Sequence, residues 1–156
     1  MTGFANETGA TMPGRREHDA AVGHSFGLEV DGVRVTMLTE VSGLAMERDV
    51  IEVREGAADG SSVTRLMPGR RKAGEVTLTR GLTSDRTFEH WVRDASLGAG
   101  AGAVSIVVFD HEGQPVVTYA LTRAWPRRLA IGGLKAGASE PLTEQLVLVY
   151  QSFERT

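Results

Sequence analysis

Residues 46–56 read Met46-Glu-Arg-Asp-Val-Ile-Glu-Val-Arg-Glu-Gly56, and after a polar stretch come Met67-Pro-Gly69 and Gly74-Glu-Val-Thr-Leu-Thr-Arg-Gly81. The first run has the length and β-branched content of a strand. Yet Glu47, Arg48, Asp49, Glu52, Arg54 and Glu55 put charge on both faces of its alternation. A strand polar on both faces cannot be buried within one subunit, so it is an edge or an arm. An arm that pairs with another copy of the same chain accounts for the pattern, which makes self-association the first expectation. The polar stretch and the Pro68-Gly69 pair predict a long connection that ends in a turn before the next strand.

Outward from this segment the chain reads as mainly β. Val76 and Leu78 alternate with Glu75, Thr77 and Thr79, as in a half-buried strand. Upstream, Phe26, Leu28 and Val30 alternate with polar or small neighbours. Asp31-Gly32 is a hairpin signal, and Val33, Val35, Met37 and Val41 are expected to continue one face until Ser42-Gly43. Downstream, Thr83-Ser84-Asp85 precedes a helical pattern with Phe88, Trp91, Val92 and Ala95 on one face and Gly98 as its C-terminal stop. Val104 to Phe109 is apolar on both faces, as in a central strand, and Asp110 to Gly113 forms a hairpin loop. Val117, Tyr119, Leu121 and Trp125 are expected on one face, with both tryptophans, Trp91 and Trp125, in the core. After a loop at Gly132-Gly133 and Gly137, Leu146, Leu148 and Tyr150 oppose Val147, Val149 and Phe153 in a last strand. About seven or eight short strands with one helix predict an antiparallel β-barrel or sandwich.

The length of 156 residues suits one domain, and 41% apolar residues suffice for a core. Residues 1–23, rich in glycine and charge without periodicity, read as a flexible N-terminal arm, followed by one β domain over 24–156. A formal charge of −3 with mixed signs gives no global basis for nucleic-acid binding. No cysteine is present, so disulfides, thiolate metal sites and cysteine nucleophiles are excluded. No apolar run reaches the roughly 20 residues of a membrane helix, and no apolar core of a secretory signal is found at the start, so the expectation is a soluble protein assembled in the cytoplasm without membrane anchoring.

A search for chemistry returns little. His18, His24, His90 and His111 show no ligand spacing, and Asp110-His111-Glu112 is better read as a polar hairpin than as a metal site. No catalytic residue, cofactor or metal is expected. The glycine-rich run at 98–102 follows a helix instead of opening one, which argues against a phosphate loop. Two basic clusters, Arg70-Arg71-Lys72 and Arg127-Arg128, lack the interleaved aromatics of a single-strand binder. Their expected partner is an acidic patch on another subunit, since the charged strand supplies Glu47, Asp49, Glu52 and Glu55.

Taken in order, Glu40-Val-Ser-Gly-Leu44, Ile51-Glu-Val-Arg-Glu-Gly56, Leu66-Met-Pro-Gly69, Gly74 to Leu82, the Trp91 helix, Ala124-Trp-Pro126 and Glu144-Gln-Leu-Val-Leu148 resemble the tail tube protein family of contractile phages and phage-tail-like injection systems. The resemblance spans residues 24–153. Val53 stands where an aromatic is common, and Tyr150-Gln-Ser-Phe153 replaces a His-Glu-Gly-like ending. It implies a non-catalytic structural protein: six subunits form a ring in which strands of all copies close one barrel around a lumen, and rings stack into a hollow conduit. The implied partners are other copies of the chain, a contractile sheath protein, baseplate and tube-initiator proteins, and tape-measure protein or lumenal cargo. Contacts between subunits or rings are expected at Glu47, Asp49, Glu52, Arg54, Glu55, Arg65, Met67, Arg70, Arg71 and Lys72. Thr77, Thr79, Thr118 and Thr122 are lumen-facing candidates, and Phe88, Trp91 and Val92 anchor the helix. The alternatives are a haemolysin-coregulated-type ring protein of type VI secretion, a baseplate-proximal tube initiator, or, in another class, a small-molecule-binding β-barrel with a discrete apolar pocket.

Overall fold

The computed structural model describes residues 25–94, 103–137 and 139–156. The expected N-terminal arm, Ala95 and the glycine run from Gly98 lie outside them. Eleven strands and one helix are described, against the seven or eight strands expected. The excess arises because the arm is itself two strands and because β2/β3, β8/β9 and β10/β11 are each pairs split at corners.

Two antiparallel sheets pack face to face. The first has five strands: β1 (Ser25–Val30), β2 (Val33–Leu38), β7 (Val104–Phe109), β8 (Pro115–Thr122) and β11 (Ser152–Arg155), in the order β11-β8-β7-β1-β2. The second has four: β3 (Glu40–Ser42), β6 (Gly74–Gly81), β9 (Trp125–Ile131) and β10 (Thr143–Tyr150), in the order β3-β6-β10-β9. The core between them takes Leu28, Ile106 and Leu121 from one sheet and Val76, Leu78, Leu146 and Leu148 from the other. Neither sheet closes on itself within the described chain, so the subunit is a sandwich. β7 lies between β1 and β8, the interior position expected of it.

Local chemistry sets the corners. Asp31 (φ 53°) and Gly32 (φ 78°) both adopt positive φ in the β1–β2 hairpin, as a tight two-residue turn requires. In β2 the expected apolar face is not the buried one. Leu28 pairs with Thr36 and Glu29 with Arg34, so Val35 is an extra, bulged residue and the alternation slips. Thr36 and Leu38 therefore share the inward face, while Val33 and Met37 are exposed. A similar slip displaces Trp125. Arg123 (φ 50°) turns the chain from the five-stranded to the four-stranded sheet, Ala124 and Pro126 take the buried positions, and Trp125 is left 46% exposed instead of in the core. The expected last strand likewise divides at Gln151, so that Phe153 belongs to β11 of the opposite sheet.

The helix α1 (Thr87–Asp94) packs over β9. Its first turn is capped as the sequence suggested: Thr83 Oγ1 accepts from Asp85 N at 3.2 Å, and Asp85 Oδ1 accepts from Thr87 N at 3.1 Å. Phe88 is fully buried, whereas Trp91 and Val92 are half-buried against the same core.

This gradient yields a test of the helix anchor. Phe88→Ala should cost about 3–5 kcal/mol of stability, and Trp91→Ala the lesser amount of about 1–3 kcal/mol. Urea unfolding of the subunit checks the order; a larger loss at Trp91 would contradict this docking.

Candidate assembly surfaces

The charged strand is an arm, as its two polar faces required. Among the described residues β4 (Arg48–Gly56) and β5 (Ser62–Arg71) pair only with each other. The predicted long connection is thus mostly strand, and the expected Pro68-Gly69 turn is instead part of the ladder. Pro68 lies opposite Val50 at a bulge, where a two-stranded ribbon tolerates a missing amide because each strand is an edge. The true turn is Ala57–Ser61, closed by Ala57 N to Ser61 O at 2.7 Å. Asp59 Oδ1 accepts from Ser61 Oγ at 2.6 Å and from Ser61 N at 3.0 Å, and the hydroxyl foremost holds the Asp59 carboxyl below its usual pKa.

The cross-strand register places Ile51 beside Met67 and Glu55 beside Val63 on one face, and Val50 beside Pro68 and Glu52 beside Leu66 on the other. Val50, Ile51, Val63, Leu66 and Met67 are all exposed. Apart from Met67, sequence reading took only charged residues; the apolar residues alternate with them on both faces. A two-stranded ribbon is marginal alone, and large apolar side chains bared on both its faces mark a surface made to be covered.

All ten expected contact residues fall on this ribbon or its root. Arg65 Nε lies 3.4 Å from Glu55 Oε2, and Lys72 Nζ lies 3.5 Å from Glu47 Oε1 and 3.6 Å from Asp49 Oδ1. Arg48 Nη1 donates to the Gly69 carbonyl at 3.3 Å. Part of the charge expected to meet a neighbour is therefore spent within the arm. Such exposed pairs contribute little to stability, at most about 1 kcal/mol each.

A cleft of about 560 Å³ opens where the arm leaves the sandwich, between residues 45–48 and 71–72 on one side and 150–155 on the other. Its floor is rigid. The Tyr150 ring lies directly on Gly74, where any Cβ would collide with it. The Tyr150 hydroxyl accepts from Ala45 N and donates to Ala45 O, each at 3.1 Å. Phe153 stacks edge-on against Tyr150 at 5.8 Å and against Tyr119 at 5.7 Å.

The lumen candidates do not form one surface. Thr77 and Thr79 alternate with Val76 and Leu78 on the four-stranded sheet, while Thr118 and Thr122 alternate with Val117 and Leu121 on the five-stranded sheet. Each pair faces away from the shared core, so the two pairs point to opposite sides of the sandwich. Thr79 is moreover only 7% exposed. The outward face of the four-stranded sheet also carries Trp125 opposite Val149 and Arg128 opposite Val147. Beside them Arg127 Nη1 donates to Glu75 Oε1. The outermost strands of this sheet, β3 and β9, have no second partner strand among the described residues.

Beneath lies an interaction that sequence reading missed. Arg80, 2% exposed, ion-pairs through Nε with Glu144, its cross-strand partner, which is 5% exposed. Its Nη1 donates to Asp85 Oδ2 at 3.0 Å and Thr36 Oγ1 at 3.2 Å, Nη2 donates to Asp85 O at 3.1 Å, and the guanidinium lies 3.9 Å over the Phe88 ring. The signal was present, since Arg80 occupies the inward parity of Val76 and Leu78. Among the described residues no group of three or more His, Asp or Glu side chains could hold a metal. Asp110 Oδ1 instead accepts from Glu112 N at 2.9 Å and Gln114 N at 2.8 Å, a hairpin role.

A family model for the T4-like virus tail tube protein gp19 matches residues 22–154. The fold is similar to a chain in the PVC sheath–tube complex of an extracellular contractile injection system in its extended state (TM-score 0.74, 21% identity, 90% of this chain and 93% of that one). It is also similar to a chain of the six-fold symmetrised anti-feeding prophage baseplate (0.69, 23%, 88% and 95%) and to Hcp1 from Flavobacterium johnsoniae (0.51, 14%, 85% and 94%). No curated protein matches the sequence.

The network has a pH signature. Thr87's hydroxyl first, and then Arg80, hold the Asp85 carboxyl below its ordinary pKa of 3.8. A carboxyl depressed in the folded state stabilises above its unfolded value, and that contribution fades as pH falls through the folded value. Asp85→Asn should therefore lower stability at neutral pH and flatten the acid-side decline. Urea midpoints measured from neutrality to below pH 3.8 check this, and an unchanged slope would contradict it.

Proposed function

The chain belongs to the T4-like virus tail tube protein family, and from that premise we propose that it is the inner tube subunit of a contractile tail-like particle, assembling as rings of six. It is a structural component of a phage tail or phage-tail-like particle and not an enzyme. The observation that carries the ring reading is the arm: apolar side chains bared on both faces and two unpaired edges require another chain to cover them.

The sandwich supplies the rest. The edges β3 and β9 of the four-stranded sheet belong to different flanks of the subunit, so β9 of one copy pairing with β3 of the next continues the sheet around a ring. Six four-stranded sheets would make a barrel of about 24 strands. With strands about 4.8 Å apart and tilted by about 40°, its opposing backbones lie about 45–50 Å apart. The face turned to this lumen bears Thr77, Glu75, Arg127, Arg128 and Trp125, a polar, mixed-charge lining. The opposite face, with Thr118 and Thr122, then looks outward, where a sheath would lie. A baseplate and tube initiator would start the stack, assembly would take place in the cytoplasm, and a tape-measure protein or cargo would occupy the lumen. The stronger likeness to injection-system chains than to Hcp1 supports this reading over a type VI ring protein.

Negative-stain and cryo-electron microscopy of the purified chain, alone and added to isolated baseplates, test the proposal. Hollow six-fold rings or stacks of the stated bore are expected, and a compact monomer under both conditions would overturn it. Ile51→Asp and Leu66→Asp alter one face of the arm each and leave the core untouched. Both should abolish tubes while circular dichroism stays that of the folded subunit.

A further inference from the structure

The arm explains that something is gripped, but the cleft at its root suggests where. Resting on the tube reading, we propose that the acidic tip of one subunit's arm seats in the cleft at the root of the arm of another copy.

The two surfaces differ and match. Glu55 at the tip is paired with Arg65, so Asp59 in the turn is the charge the tip presents, and no basic residue lies from Glu55 to Thr64. The cleft presents Arg48, Arg71, Lys72 and Arg155 against Glu47 and Glu154, and with Asp49, which also holds Lys72, an excess of one positive charge remains. The turn consists of Ala57, Ala58, Asp59, Gly60 and Ser61, so nothing bulkier than aspartate has to enter. The floor is prebuilt from the buried Tyr150 and half-buried Phe153, which need no rearrangement to receive a slim turn. β11, which lines the cleft, is also the edge of the five-stranded sheet and has backbone groups available to a guest.

The occupant cannot be the subunit's own arm. β4 runs nine residues away from the root, which at about 3.4 Å per residue puts the tip about 30 Å distant. Tip and cleft are different patches on one chain, so each contact leaves a free tip at one end and a free cleft at the other. Such a head-to-tail contact propagates around a ring or along a stack. Its charge complementarity makes association salt-sensitive.

The absence of cysteine in the chain allows a direct test. Tubes are assembled from the full-length A58C/Q151C double variant, oxidised, and run on non-reducing gels, with each single variant as control. Seating holds the two thiols at a high effective concentration, so a ladder of linked chains is expected at about ten-fold or more the yield of either single variant. Normal tubes without a ladder would overturn the seating and leave the tube reading intact. Equal linking by A58C alone would also overturn it, since tips would then meet tips. A ladder without rings or tubes would support the seating and overturn the tube reading, and loss of both would overturn both.

Discussion

The Arg80 guanidinium is the joint on which the sandwich is hung. It belongs to β6, pairs with Glu144 on β10, reaches Thr36 on the opposite sheet, and holds the Asp85 cap that starts the helix. Removing two charges from water is costly, and a buried pair adds little net stability over a good apolar replacement. Its value lies in geometry. Planar donors satisfied by partners from several elements tolerate one arrangement of sheet, sheet and helix. Among the described residues no buried side-chain nitrogen or oxygen lacks a partner, so the network stands complete. Breaking it would leave a buried carboxylate unpaired beside the core, the expensive case.

That rigidity lets the arm be loose in composition. A ribbon of two strands buries almost nothing and cannot support itself by packing, so its orientation depends on its root. There the chain is fixed twice: Gly74 lies under the Tyr150 ring, and the Tyr150 hydroxyl bonds the backbone at Ala45. The same aromatic therefore closes the core, fixes both strands of the arm where they leave it, and floors the cleft beside them. Self-assembly places opposite demands on a subunit: a packed body, and surfaces left unsatisfied until a neighbour covers them. This chain separates the two, with apolar side chains facing inward in the sandwich and outward on the arm.

What was legible tracks how local the cause is. The hairpin at Asp31-Gly32, the capped helix at Thr87 and the central strand at Val104–Phe109 follow from turn chemistry, capping and periodicity, and the structure has them. Charge on both faces of 48–56 sufficed to place that segment outside the core. The misplaced core residues share one origin, which is lost parity. Period-two alternation carries a side assignment only while the strand is unbroken. A bulged Val35, a left-handed Arg123 and a bend at Gln151 each reset it. So Met37 and Trp125 left the core, whereas the threonines kept their parity and divided because β6 and β8 lie in different sheets.

The sequence by itself determined the mainly β class, one amphipathic helix and an arm unfit for burial, because each is written in neighbours a few residues apart, and composition and the order of short motifs added the absence of cysteine chemistry and the likeness to a tail tube. Only the tertiary structure decided that residues 62–71 are the arm's second strand, that Arg80 is a buried joint, and that a cleft forms between residues 45–48 and 150–155. Those facts depend on contacts between residues from six to more than a hundred apart in the chain. Local periodicity holds no record of which strand lies beside which, and the final arrangement is set by how the two sheets turn their corners around a shared core.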